Sequence, residues 1–360
     1  MPRSRSRSRS PSLADVAERA RVSPSLVSRL LRGDDSVRVR EETRRRVLAV
    51  AEEVGYVPHL LARHLRMSRA GAIGLIVHEI SNPIYAEIIR GAQKAVTRAG
   101  SVLLLIDAEV VTDEVALLGV AGGGRVDGLL WQMAGHAGLD HAVHVAARYV
   151  PVVLVNSRAE HDLPGVHLDD EGATRMAMGH LFDLGHERIG FVSGAPGSDV
   201  SERRRAAYRA SLAEAGIRRR AAWEVEGGWD SGSGHRAAAG LLRRDTRPTA
   251  VLATNALVAT GVVTAAYEAG VRVPDELSVV AIHDLWFAER LMPALTVVRL
   301  PLITMGERAA DLLVCDEQPT GPVDIAITDP MPQLVERGST APAPSTPKRH
   351  RHRGPRRTAS

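Results

Sequence analysis

The 360-residue sequence holds few of the side-chain groupings that make or break covalent bonds. It has no Walker-type glycine loop, no G-x-S-x-G elbow and no Cys/His cluster at metal-ligand spacing, so neither a catalytic centre nor a cofactor is expected. Gly122-Gly123-Gly124 reads as a loop before a strand. What the residue types do offer is recognition. In Ser23-Pro24-Ser25-Leu26-Val27-Ser28-Arg29, the arginine carries a fork that can bond bidentately to guanine O6 and N7, and Ser25 and Ser28 lie on its side of a short helix.

The elements that must position Arg29 are legible around it. Ser12-Leu13-Ala14-Asp15 is a capping box, and Val16, Ala17 and Ala20 continue an apolar face at helical spacing. Arg21-Val22 makes the turn. Ser23 then caps a second helix with Pro24 at its first position, where the missing N–H costs nothing. Leu26, Val27, Leu30 and Leu31 supply that helix's core face. Two short helices across so tight a turn fit a DNA-binding tri-helical unit whose second helix enters the major groove, although two helices of an ordinary bundle would look similar.

The net charge of +4 leans towards a polyanionic partner. Its arginine dominance fits GC-rich coding equally well, since Lys94 and Lys348 are the only lysines. The single cysteine, Cys315, follows an apolar run and is expected to be a buried small hydrophobe. No apolar run is long enough to span a membrane, and the N-terminal arginines are not followed by a secretory apolar core; the cytoplasm is the expected location. Residues 1–11, an Arg-Ser alternation, and residues 339–360 read as disordered basic tails.

Between residues 71 and 338 the rhythm changes. Ile73–Val77, Val102–Ile106, Gly128–Trp131, Val152–Val155, Ile189–Val192, Ala250–Ala253 and Leu277–Ile282 are short apolar runs alternating with helical stretches. Strands buried on both faces need such near-continuous apolar sequence, so parallel β/α units are predicted. The fold class is therefore a small all-α helix-turn-helix head (residues 12–57), a linker over residues 58–70 and an α/β body (residues 71–338).

Residues 12–66 closely resemble the head of the lactose-repressor (LacI) family: Leu13-Ala14-Asp15-Val16-Ala17, Val22-Ser23, Val27-Ser28-Arg29-Leu30, Glu41–Leu48, Glu52–Pro58 and Leu61–Leu65 all keep one register. The resemblance implies that Pro24, Ser25 and Arg29 occupy base-reading positions, with Ser23 and Ser28 in the same DNA-binding segment. It also implies that residues 58–66 form a hinge helix on operator and that Leu65 wedges into the minor groove. Three residues depart from the family: Leu26, Arg32 and Arg40, the last replacing a serine that would cap the third helix.

The resemblance continues through Thr340 and implies a two-lobed, periplasmic-binding-protein-like body with an effector in the interlobe cleft. Carried over by position, the cleft is lined by Ile84, Tyr85, Asn156, Arg204, Trp229, Asn255, His283 and Asp284. Taken alone, Trp229 would equally close a loop, and Arg204 would sit on a solvated arginine face. Ala256 and His283 stand where the family usually has carboxylates, and Ala207 where it has glycine. The implied function is a homodimeric DNA-binding regulator, a repressor of a palindromic double-stranded operator, tuned by a sugar or sugar-like acid. An anionic effector touching His283 would bind more tightly as pH falls. The competing reading is a DNA-binding dimer whose body senses nothing.

Overall fold

The computed structural model describes residues 11–31, 37–56, 69–78, 80–108, 114–133, 139–158, 162–244, 246–315 and 323–344. Leu65, the rest of the hinge and most of both basic tails lie outside them. The chain divides into two compact units at Ala70/Gly71.

In the first unit, α1 (Leu13–Ala20), α2 (Pro24–Leu30) and α3 (Glu41–Glu53) pack Val16, Ala17, Ala20, Val27, Leu30, Val37, Val47 and Ala51 into one small core. The Ser12–Asp15 box closes in both directions: the Asp15 amide donates to Ser12 Oγ at 3.3 Å, and the Ser12 amide donates to Asp15 Oδ2 at 2.7 Å. Arg21 ends α1 in the left-handed region, at φ 52°. Arg46 on α3 donates to the Ala20 carbonyl at 3.1 Å, satisfying one acceptor left open where α1 ends. Arg40, as expected, provides no side-chain cap for α3.

The second unit contains two six-stranded sheets. The first has the order β11-β5-β4-β3-β1-β2 and is wholly parallel. Its strands are β1 (Ala72–Val77), β2 (Val102–Asp107), β3 (Gly128–Gln132), β4 (Val152–Val155), β5 (Gly165–Leu168) and β11 (Asp324–Ile327). The second has the order β12-β10-β9-β8-β6-β7, parallel except for β12. It comprises β6 (Ile189–Ser193), β7 (Glu224–Glu226), β8 (Ala250–Ala253), β9 (Ser278–Ile282), β10 (Thr296–Arg299) and β12 (Gln333–Val335).

Helices connect the strands: α4 (Ile84–Arg98), α5 (Glu114–Ala121), α6 (Leu139–Ala147), α7 (Asp170–Asp183), α8 (Asp199–Glu214), α9 (Ser231–Leu242), α10 (Ala256–Glu268) and α11 (Leu302–Val314). The backbone passes between the sheets three times, after β5, after β10 and between β11 and β12, which makes two lobes of one unit. All seven apolar runs are strands. Six of them, β1, β3, β4, β6, β8 and β9, lie inside the sheets and are buried along their whole length, as parallel β/α packing requires. The seventh, β2, is an edge strand with Val102 54% exposed and Leu104 and Leu105 each 41% exposed.

Two expectations are corrected. Cys315 is exposed. The buried stripe of α11 ends at Leu313, and at Cys315 the backbone turns extended, so helical spacing no longer carries the thiol onto the core. The second tail also starts later than residue 339. Ser339 is fully buried and donates to the Val279 carbonyl at 2.6 Å, and the Ala343 amide donates to the Leu184 carbonyl. His186, itself buried, reaches Thr249 Oγ1, Ser278 Oγ and the Ala341 carbonyl, each at 3.0 Å. These polar contacts draw the chain end onto the second sheet, although its composition offers no apolar anchor.

Candidate nucleic-acid interface and effector cleft

In the head, Ser23 Oγ accepts the Leu26 amide at 3.2 Å and Pro24 occupies the first turn of α2. Ser23, Pro24 and Ser25 are exposed, and Ser28 and Arg29 are half-buried beside the core residues Val27 and Leu30. The predicted reading residues therefore share one short capped helix whose opposite face is pinned in the core. That is what a rigid base-reading element needs.

In the body, the carboxyl-end segments of the two sheets meet. The Arg158 amide, just past β4, donates to Asp199 Oδ2 at 3.2 Å, and the Arg158 guanidinium pairs with Glu171 at 2.7 Å. Arg203 donates to the Leu168 carbonyl at the end of β5. Glu87 on α4 lies close enough to Asp284 and Arg299 to feel both charges. Open α/β sheets bind ligands at this end.

From the first lobe come Ile84, Tyr85 and Asn156. Asn82 Oδ1 accepts the Ile84 amide at 3.2 Å, fixing the start of α4. The Tyr85 hydroxyl donates to Gln132 Oε1 at 2.8 Å, itself at the end of β3. Asn156 sits at φ 57°, a region its side-chain type tolerates, and its buried Oδ1 has no hydrogen-bond partner.

In the second lobe Trp229 packs over Gly194, where a Cβ would overlap the indole. Asn255 Oδ1 caps α10 through the Val258 amide at 2.7 Å, while its Nδ2 donates to the Trp229 carbonyl at 3.1 Å. Both groups of that amide are thus occupied in holding Trp229 and α10 together.

Arg204 is not solvated: it is 1% exposed, and its donors are engaged. Nε and Nη2 reach Asp170 Oδ1 at 2.8 and 2.5 Å, Nη1 donates to the Thr254 carbonyl, and Nη2 contacts His283 Nε2 at 2.9 Å. Arg203 pairs with Asp170 Oδ2 at 2.6 Å and with Asp199 at 2.9 Å. Burial pushes the Asp170 carboxyl up, but Arg204 and Arg203 outweigh it and hold the group below its usual range. His283, at φ 72° and 1% exposed, is pushed down to about 3, first by burial and then by Arg204. Its charge state is therefore the reverse of what a pH-strengthened anion site requires. Burial and the neighbouring guanidinium of Arg204 both favour the neutral imidazole. Asp284 is also committed, to Arg299 at 2.5 Å and Arg337 at 2.8 Å.

Sequence reasoning missed Asp170, Arg203 and Gly194. The acidic pair Asp169-Asp170, directly after Val166-His167-Leu168, was the available signal for Asp170. Arg203 was hidden in an arginine run that looked like solvated surface. Among the described residues no group of His, Cys, Asp and Glu could hold a metal ion, and no helix is long and apolar enough to cross a membrane.

Comparison with known proteins agrees with this layout. Residues 12–59 match the family described as bacterial regulatory proteins, lacI family, and residues 178–340 match a periplasmic binding protein-like domain. The chain is 33% identical over 302 residues to catabolite control protein A of Priestia megaterium, covering 83% of this chain and 90% of that one. It is 31% identical over 336 residues to the HTH-type transcriptional repressor PurR of Erwinia tasmaniensis, covering 92% and 97%. Among solved structures, the lac repressor dimer bound to operator and the anti-inducer ONPF superposes with a TM-score of 0.77 at 25% identity, over 92% of this chain and all of that one.

Proposed function

Because the chain belongs to the LacI family of bacterial regulatory proteins, we propose that it is a homodimeric repressor that reads a palindromic operator and adjusts its grip through a small-molecule effector held between the lobes. Transcriptional repression is named for relatives, one of them solved on its operator, and the head of this chain carries a capped pair of short helices. The observation that carries the reading is α2 itself: Pro24, Ser25, Ser28 and Arg29 on one helix, seated by Val27 and Leu30.

Dimerisation is supported by β2. An edge strand that exposes Val102, Leu104 and Leu105 invites association unless something covers it, and a second copy would do so. Two heads related by a dyad then read two half-sites related by the same dyad.

Sequencing of DNA fragments selected by the purified protein, with and without candidate ligands, tests the whole reading. A two-fold symmetric consensus whose enrichment changes with ligand is expected. A consensus that no ligand alters would favour the second reading, a DNA-binding dimer without a sensor. One observation favours that alternative: the guanidinium of Arg204 is committed to Asp170, Thr254 and His283 rather than left available to a ligand.

A further inference from the structure

The amino ends of the second sheet, opposite the cleft, are rich in arginine. Residues 218–223 lead into β7, and residues 243–248 join α9 to β8. Between these two segments lies a cavity of about 430 Å³, lined by Arg220, Ala222, Trp223, Arg243, Arg244 and Thr246. Two contacts tie the segments together. The Trp223 indole Nε1–H donates to the Thr246 carbonyl at 3.1 Å, and Arg220 Nη1 donates to Thr246 Oγ1 at 3.4 Å. The Arg220 guanidinium also lies over the Trp223 ring, 4.5 Å from its centroid, so the wall itself holds one positive charge in place.

Three guanidinium groups therefore line one cavity, and no carboxylate among the described residues lines it with them. Glu224, the first residue of β7, is already shared by Arg209 and Arg219, and Glu276 by Arg247 and Arg272. A cation at the end of α9 is ordinary, because the last carbonyls of a helix carry partial negative charge. That accounts for one arginine after Leu242. It does not account for three around a shared space, where like charges repel unless an anion stands between them.

The lining sets the chemistry of an anion that fits it. A guanidinium fork pairs bidentately with phosphate oxygens, and three forks call for more negative charge than one carboxylate brings. The volume is that of a small-molecule pocket. Trp223 is buried beneath Arg220 and its N–H is used, so it offers no platform to a base or a sugar ring. We propose that this cavity is a second ligand site, which binds a compound carrying two linked phosphoryl groups and recognises it by those phosphates alone. The site is independent of the effector reading, because Trp229, Asn255 and His283 lie at the other end of the strands.

Calorimetry of the full-length protein with inorganic pyrophosphate in magnesium-free buffer tests this, with sulfate and ADP in parallel. Pyrophosphate should bind roughly tenfold or more tightly than sulfate, and Arg243→Gln combined with Arg244→Gln should abolish that margin. Both side chains are exposed, so the double variant should unfold at the parent's temperature. Arg220→Lys, which keeps the charge and loses the fork, should weaken pyrophosphate several-fold and carries the test if the double variant fails that check. Arg188→Gln combined with Arg272→Gln removes two exposed charges from the same end of the sheet but outside the cavity, and should cost less than about twofold. ADP should bind within a few-fold of pyrophosphate, which separates recognition of the phosphates from recognition of a nucleotide.

Four results overturn the proposal. Sulfate bound as tightly as pyrophosphate removes the phosphate chemistry. Equal losses in the two double variants show diffuse attraction rather than a site. ADP bound roughly tenfold more tightly than pyrophosphate means that the base, not the phosphates, is read. If Arg243→Gln with Arg244→Gln weakens random duplex DNA and spares pyrophosphate, these arginines belong to a nucleic-acid surface.

Discussion

Replacing Asp170 with asparagine keeps its shape and removes the one charge that two buried arginines share. Asp170 is 0% exposed, Arg204 1% and Arg203 4%. Arg203 would retain Asp199 at 2.9 Å, but Arg204 would be left with neutral acceptors alone, the Thr254 carbonyl, the imidazole and the new amide's oxygen. One uncompensated buried cation is therefore created, and breaking a buried pair in this way destabilises by about 3–5 kcal/mol. The pH dependence has a definite sign. The folded carboxyl is held below its ordinary range, so its contribution is complete above the unfolded value of about 3.9 and is lost as pH falls through the folded one. The deficit of Asp170→Asn should thus be constant between pH 8 and 5 and shrink only in stronger acid. Urea unfolding of the full-length protein, parent against variant, measures it at each pH. Adding Arg204→Met to the variant should restore most of the loss, because the unpaired charge goes with it. A deficit under about 1 kcal/mol at neutral pH, where 3–5 is expected, would refute the argument that this cluster is held by its charge.

Arg29→Ala should weaken operator binding by about 1–3 kcal/mol and relax one base pair per half-site, while random DNA is bound nearly as before; equal losses on both would remove Arg29 from base reading. Arg40→Ser should stabilise the head by about 1 kcal/mol in thermal unfolding, since α3 begins without a side-chain cap. Leu65→Ala should reduce operator bending in a gel-shift assay with permuted sites, and an unchanged bend with full affinity would return Leu65 to ordinary packing. His283, held at about 3, is neutral when folded, so the stability it contributes is complete above its unfolded value of about 6.5 and is lost as pH falls towards 3. Between pH 6 and 4 the parent should therefore lose about 1.4 kcal/mol per pH unit more than His283→Gln, and parallel curves would show that the imidazole titrates normally.

Local physics made most of the fold legible. The capping box at Ser12 and Asp15 and the Ser23-Pro24 start are complete within four residues, so composition and spacing alone determined where α1 and α2 begin. The seven apolar runs marked their strands because a strand covered on both faces can carry little else. Strands β5, β7, β10, β11 and β12 escaped notice because they are three or four residues long and interrupted by polar or small residues, as in Glu224-Val225-Glu226; neighbouring backbone, not apolar content, makes them strands. The same held for the chain end at Ser339–Ala343, which is retained by hydrogen bonds to residues more than forty positions away.

At the site, register alone picked out Arg204, Trp229, Asn255 and His283, but not their states. Whether an arginine is solvated or buried, and whether a histidine donates from Nδ1 or accepts there, depends on partners that are distant in sequence. Asp170 and His283 lie 34 and 79 residues from Arg204. The sequence determined which residue types stand at the carboxyl ends of the strands. Only the tertiary structure decided that Asp170 takes up the arginines and thereby orients the histidine, because charge pairing and desolvation depend on distances in space.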